Sequence, residues 1–316
     1  MKKNKKRELL SIIVPCFNEE EVIEETYKRL LNVLKNLNID FEIIFINDGS
    51  SDNTLNILTS IALKDNKVKI ISFSRNFGHQ PAVSAGIHYC KGDYAVIIDA
   101  DLQDPPEIIP DMLRVAKEEN ANVVYGVRKK RKGETFFKRF TAWAFYKIIN
   151  FLSDVPLPEN TGDFRLIDRK VIDAFNQLPE KNKYIRGLIS WIGFKQIPYY
   201  YIREPRFAGE TKYPLSKMIK FATTALLYFT RKPLKLATTM GFLSIIVGII
   251  LTFYVFLSLF FKPEQTVSGW ASTIIIIIFF GGVQLLTIGV MGEYIGSIFD
   301  EIKNRPMYII EKTFNL

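Results

Sequence analysis

Four carboxylates crowd into the nine residues 99–107 of the stretch YAVIIDADLQDPPE (94–107): Asp99, Asp101, Asp104 and Glu107. They follow an apolar run that reads as a buried strand. If that strand continues through Asp99 and Asp101, their side chains share one face. Two carboxylates so close repel each other unless a positive charge sits between them. A divalent cation meets that need. Mg2+ or Mn2+ prefers oxygen ligands and shares its shell with phosphates and water. Gln103, two residues further on, can add a carbonyl oxygen. The plainer reading is a solvated acidic turn in which Asp104 helps to cap a helix starting near Pro105. The position after a core strand favours the metal.

A second acidic site lies at NDGSSDNT (47–54). In nucleotide-binding α/β folds an acidic residue at a strand end hydrogen-bonds ribose or base, and Asp48 is placed to do so. Gly49 frees the turn, and Ser51 or Asp52 can cap the next helix. Neither GxGxxG nor GxxxxGK[ST] occurs in the chain, which argues against NAD and against a P-loop ATP. The two histidines, His79 and His88, form no metal pair. His79, beside Gly78, either touches the nucleotide or shapes its loop. His88 reads as a packing or surface residue of a helix.

The elements that must position these residues alternate. Strands are predicted over 9–17, 41–48, 68–74, 94–100 and 121–127, and helices over 20–37, 52–64, 80–90 and 107–119. Strands rich in Ile and Val that alternate with helices make βαβ units and a mostly parallel sheet covered on both faces. Ligands bind such sheets at the carboxyl ends of the strands. The residues to watch there are Asn18, Glu19, Asn47, Asp48, Arg75, Asn76, Asp99 and Asp101.

The chain has 316 residues, is 48% hydrophobic and carries a formal net charge of +9. Charged residues are absent from Leu236 to Phe261 and again from Gln265 to Gly292. A bilayer-spanning helix needs about 20 apolar residues, so two spans are predicted, over about 236–261 and 268–292. Lys217, Lys220, Arg231, Lys232 and Lys235 precede the first, whereas the loop between them holds only Lys262 and Glu264. Basic residues stay on the cytoplasmic side. The expected order is a cytoplasmic domain over 1–212, an amphipathic juxtamembrane helix over 213–232, the spans within 233–293, and a cytoplasmic tail over 294–316. A further helix in the membrane interface is expected over 136–152, after the basic run that begins at Arg128. The apolar part of MKKNKKRELLSIIVP is too short for a signal peptide and contains Pro15. Cys16 and Cys90 are expected as free thiols with packing roles.

VPCFNEEE (14–21), INDGSSDNT (46–54), SRNFGHQPAVSAG (74–86), IDADLQDPPE (98–107) and TGDFRLIDRKV (161–171) together resemble inverting family 2 glycosyltransferases. The branch resembled is the dolichol-phosphate-mannose-synthase type. GETKYPLSKM (209–218) followed by two spans is similar to bacterial bactoprenol (undecaprenyl-phosphate) glycosyltransferases. The resemblance covers nearly the whole chain in order. The QxxRW motif of processive polysaccharide synthases is missing.

The resemblance implies a GT-A fold, a Rossmann-like sheet, followed by a transmembrane hairpin in the plasma or inner membrane. It implies that Pro15, Asn18, Glu19, Asp48 and Asp99 bind the nucleotide sugar. Asp99, Asp101 and Gln103 would hold Mg2+ or Mn2+. Asp163 matches the position of a catalytic base, or orients the acceptor together with Arg165. Arg128, Arg206 and Lys212 match positions that hold phosphates. The family often has Asp where this chain has Asn47; Asp48 keeps the main contact. The partners implied are a UDP-sugar, a polyprenyl phosphate and the membrane, with no nucleic acid. Self-association and a flippase partner are compatible with this plan. Glucose is the first expectation for the sugar, with N-acetylglucosamine or another hexose such as mannose as alternatives. A membrane phosphotransferase or nucleotidyltransferase is the competing enzyme class, and a silent scaffold the non-enzymatic one.

Overall fold

The computed structural model describes residues 7–129, 161–181, 183–205, 232–261 and 269–316. These fall into two compact units, one containing the sheet with its helices and Arg305–Leu316, the other containing the two long C-terminal helices. The predicted helix over 136–152 lies outside the described residues, as does the one over 213–232 except for Lys232.

The first half of the sheet unit follows the predicted alternation: β1 (Leu9–Cys16), α1 (Ile23–Lys35), β2 (Asp40–Asn47), α2 (Thr54–Ala62), β3 (Val68–Phe73), α3 (His79–Tyr89), β4 (Tyr94–Ile97), α4 (Ile109–Glu118) and β5 (Val123–Arg128). A single 3-10 turn, Pro106–Ile108, leads into α4. Then come β6 (Thr161–Asp168), α5 (Arg169–Asn176), α6 (Ile185–Ile192) and β7 (Gln196–Tyr201). The last strand, β8 (Ile310–Phe314), lies near the end of the chain.

The sheet order is β7-β5-β6-β4-β1-β2-β3-β8. β1 pairs in parallel with β2 and β4, as do β2 with β3 and β5 with β7; β6 and β8 run antiparallel to their neighbours. This is the mostly parallel α/β sheet that the alternation predicts. Leu10, Ile12 and Val14 face the core shared with α1, α2 and α4. α3 packs on the opposite face, where Gly86 lies against Ile13 and Ile46. Helix periodicity explains the packing: α4 buries Ile109, Met112, Leu113 and Ala116, one stripe of an amphipathic helix. Glu24 and Glu25 open α1 and Lys35 closes it, each matched to the helix dipole.

The second unit contains α7 (Lys232–Phe261) and α8 (Trp270–Ile302), in contact where Gly248 meets Phe280. Phe279–Ile302 is long and apolar enough to cross a membrane, and Leu234–Ile250 forms a shorter apolar stretch. α8 runs past the predicted end at Gly292, through Glu293, Asp300 and Glu301. A charge limits a hydrophobic span without ending the helix.

Candidate active site

The candidate residues gather at the carboxyl ends of β1, β2, β3 and β4. The β1–α1 and β2–α2 connections are laced together. Asn18 adopts a left-handed conformation (φ 52°). Its side-chain oxygen accepts the Ser51 N–H at 2.8 Å, and its own N–H donates to Ser50 Oγ at 3.0 Å. The Glu19 N–H donates to Thr54 Oγ1 at 2.9 Å. Pro15 is buried in β1 opposite Ile46.

The β2–α2 turn touches the β3–α3 connection. Gly49 has φ +64°, and a Cβ there would lie 2.3 Å from the Arg75 carbonyl carbon, so only glycine fits. Asp48, 3% exposed, bridges the same gap. Its two oxygens accept the N–H groups of Phe77 (2.7 Å) and Gly78 (2.9 Å). Burial leaves its carboxyl raised despite these donors.

β4 stops at Ile97. The chain then turns, and Leu102 takes a positive φ of 57°. The strand therefore does not continue through Asp99 and Asp101, and strand alternation does not place their side chains on one face. Asp101 accepts the N–H of Gln103 at 3.1 Å. Gln103 is buried, and its carbonyl accepts the Glu204 N–H at 2.9 Å. Asp99 lies 3.7 Å from His79 Nε2. Burial raises the Asp99 carboxyl to about 6 against the pull of His79, with Asp104, Asp163 and Asp101 adding to the rise.

β6 was not predicted, and it supplies the other half of the site. Because it runs antiparallel to β4, it begins where β4 ends. The register ends at Ile97 opposite Arg165, and beyond it Asp99 and Asp163 meet at one group, His79 Nε2, at 3.7 and 3.0 Å. Asp163 Oδ2 lies 3.0 Å from His79 Nε2 and accepts from Gln80 Nε2 at 3.1 Å. Oδ1 lies 3.0 Å from Arg186 Nε. Burial alone would raise this carboxyl. Arg186, His79 and Arg165 reverse that and hold it well below the usual carboxylate range. Burial likewise opposes charge on His79, but Asp163 and Asp99 lift it to about 9.

A third group of residues centres on Asp104, which is fully buried. Its carboxylate accepts from the Tyr201 hydroxyl and, at 3.4 Å, from Arg128 Nη2, and lies 3.4 Å from Arg203 Nε. It caps no helix, contrary to the plainer reading; the turn at Pro106 starts without a side-chain cap. Arg128 passes over Gly162, where a Cβ would come within 2.5 Å of its guanidinium. The glycine of TGDFR thus leaves room for Arg128 beside Asp163.

Arg165 corrects a sequence expectation. It is 3% exposed and donates to the carbonyls of Gly162 (3.0 Å) and Asp163 (3.3 Å) in its own strand. Burial lowers it to about 10. It braces the start of β6 and has no open face for an acceptor phosphate. Arg206 and Lys212 lie outside the described residues. Sequence reading missed Arg186, Gln80, Tyr201 and Arg203. Gln80 adjoins His79, and its Oε1 accepts the Ile185 N–H at 2.9 Å, which ties α3 to the start of α6. Nothing in the spacing of Arg186 or Arg203 marks either one.

Chemically, acidic groups from the β4–α4 connection and β6 stand within reach of cationic ones from α3, α6, β5 and the residues after β7. Among the described residues no three acidic, His or Cys side chains form a ready-made metal cage. Two hard carboxylates at a strand end suit an ion that completes its shell with diphosphate and water.

The model of the glycosyl transferase family 2 matches residues 11–175. An uncharacterized glycosyltransferase, YkcC, from Bacillus subtilis (strain 168) is 51% identical over 97% of this chain and 94% of its own length. The SfII prophage-derived bactoprenol glucosyl transferase of Shigella flexneri is 39% identical over 96% of this chain and 98% of its own. A solved mannosyltransferase from Pyrobaculum calidifontis, 15% identical, aligns over 92% of this chain and 88% of its own with a TM-score of 0.46. The family match begins in β1 and ends in α5, so it spans the Asp48, Asp99 and Asp163 positions; on this match and on near full-length relatives the chain belongs to glycosyl transferase family 2 and is a glycosyltransferase.

Proposed function

We propose that the enzyme transfers a hexose, glucose in the first instance, from a UDP-sugar to a polyprenyl phosphate, with inversion at the sugar carbon. The approach of Asp99, after β4, and Asp163, near the start of β6, to the same His79 carries the reading, since on it a donor-side and an acceptor-side carboxylate would flank one site. The acceptor class is supported by relatives called bactoprenol glucosyl transferase at 39% identity over nearly the whole chain.

Asp99, Asp101 and Gln103 would hold Mg2+ or Mn2+; burial first, and then the neighbouring carboxylates Asp104, Asp163 and Asp101, disfavour the Asp99 charge, and a cation would offset both. When bound, the ion offsets the charge of the departing nucleoside diphosphate. Asn18, Glu19 and Asp48 shape the nucleotide side through the laced connections. A phosphate monoester has a second pKa of about 6, so the attacking oxygen is already anionic and needs no strong base. A carboxylate held as low as Asp163 is a poor base in any case. Its fitting role is to fix His79, Gln80 and Arg186 around the acceptor. Arg128 and Arg203, both anchored by Asp104, offer guanidinium groups to phosphate oxygens, alongside Arg206 and Lys212.

α7 and α8 would cross the membrane as a hairpin. Their exposed apolar side chains, among them Phe242, Ile249, Phe253, Leu285 and Ile288, are of the kind a bilayer covers. The pairing of β8 with β3 supports an even number of crossings, because both strands belong to one sheet.

The test offers membranes containing the protein several labelled UDP-sugars together with undecaprenyl phosphate. Label from UDP-glucose should enter the lipid fraction, with UDP released, and the transfer should stop when divalent ions are chelated. Release of UMP, or no lipid label from any donor, overturns the reading.

A further inference from the structure

The end of the chain closes the sheet next to the candidate site. Asn315 anchors it at one end: its side-chain amide donates to the carbonyls of Ala62 (2.9 Å) and Val68 (3.0 Å). At the other end the Ser74 N–H donates to the Ile309 carbonyl at 3.0 Å, and the register shifts between Ser72 and Phe73. There Tyr308 lays its ring flat on Phe73, with centroids 4.8 Å and planes 9° apart. Phe73 is 1% exposed and meets Phe77 edge-on at 5.8 Å. The Arg75 side chain covers the Phe77 ring at 4.1 Å. The Phe77 and Gly78 N–H groups hold Asp48, and the next residue, His79, reaches Asp163 and Asp99. A continuous run of contacts therefore links the last strand to the two site carboxylates.

Residues 74–78 form no regular element, and Gly78 has φ +108°. Side-chain contacts must therefore set the shape of this connection. Asp48 grips it from the β2 side. The Tyr308–Phe73–Phe77 stack holds it from the sheet edge. We propose that Tyr308 is a positioning residue for the nucleotide-sugar side of the site. Through Phe73 and Phe77 it fixes where the 74–78 connection presents His79. The segment that leads into β8 is thus a working part of the transferase. The proposal rests on the transferase reading only for its kinetic readout.

The experiment uses full-length protein in detergent micelles and compares wild type with Tyr308→Ala and Tyr308→Phe. Hydrogen–deuterium exchange by mass spectrometry reads the peptide containing 74–78. In Tyr308→Ala its exchange should quicken roughly threefold to tenfold, the range expected for losing one aromatic stack. Peptides from β1 and α1 should keep their rates, and Tyr308→Phe should match wild type. In the transfer assay KM for the nucleotide sugar should rise by a similar factor in Tyr308→Ala, with a smaller change in kcat, and Tyr308→Phe should restore it. Unchanged exchange at 74–78, an increase spread evenly over the sheet, or an unchanged KM overturns the proposal. If wild type transfers no sugar at all, the functional reading falls, and the exchange comparison alone still decides the role of Tyr308.

Discussion

Asp163 receives contacts from two helices, His79 and Gln80 from α3 and Arg186 from α6, and this decides what it can contribute. A general base works best with a pKa near the working pH, and this carboxylate is held far below that. It is better described as a fixed anion that orders three side chains, which on the proposed function would surround the acceptor. Asp163→Asn keeps the shape but turns one oxygen into an N–H2 group facing either Arg186 or His79. Both neighbours then lose alignment. Transfer should fall by about 100-fold, the scale at which small misplacements act. Asp48 and the laced connections stay intact, so UDP affinity should remain within about threefold, a change worth well under 1.4 kcal/mol. Steady-state kinetics and calorimetric titration with UDP check the two halves. Full activity in the variant would remove Asp163 from the mechanism.

The strands carry a second constraint at the end away from the site. Glu42 in β2 is 4% exposed, yet it accepts from Ser11 Oγ (2.5 Å), the Lys91 N–H (2.7 Å) and Lys69 Nζ (2.5 Å). Ser11 Oγ in turn accepts the Gly92 N–H at 2.9 Å. β1, β2, β3 and the start of β4 are thereby tied together. Burial opposes charge on Glu42, but Lys69, Ser11 and the Lys91 amide more than offset it and lower its pKa. A lowered carboxyl adds stability above its unfolded value and loses it as pH falls through the folded one. Glu42→Ala leaves Lys69, the buried Ser11 hydroxyl and the half-buried Lys91 N–H without this acceptor, a loss of about 3 kcal/mol. Thermal unfolding of the full-length protein should shift down by roughly 6–12 °C near neutral pH, and the shift should shrink in acid. An equal shift at both pH values would mean that the charge of Glu42 does not matter. The same buried polar pairing explains what the sequence could show. β1 to β5 were legible because their apolar runs alternate with amphipathic helices. β6 was not, since it buries two charged residues: Asp163, satisfied by partners distant in the chain, and Arg165, satisfied by carbonyls of its own strand. β8 was hidden as well: IEKTF is exposed over much of its length and becomes a strand only because β3 offers an open edge.

For the whole molecule, β8 constrains topology more tightly than hydropathy does. By length and composition only Phe279–Ile302 qualifies as a span among the described residues, and a single crossing would put the residues after it on the side opposite β3. The β3–β8 ladder forbids this, because paired strands must share a compartment. Under the proposed hairpin α7 crosses as well, which leaves β8 beside β3. Exposed apolar side chains along both helices favour two crossings. Labelling decides the matter cleanly, since Cys16 and Cys90, the two native thiols, are buried. Ser268→Cys, between Phe261 and Trp270 in the sequence, should react in intact cells with a membrane-impermeant maleimide. Lys312→Cys, on the exposed part of β8, should react only after the cells are opened. Labelling of both positions from outside, or of neither, would break the hairpin. Labelling of Lys312→Cys alone from outside would reverse the orientation of the hairpin and carry the sheet, with β8 still on β3, to the outer side.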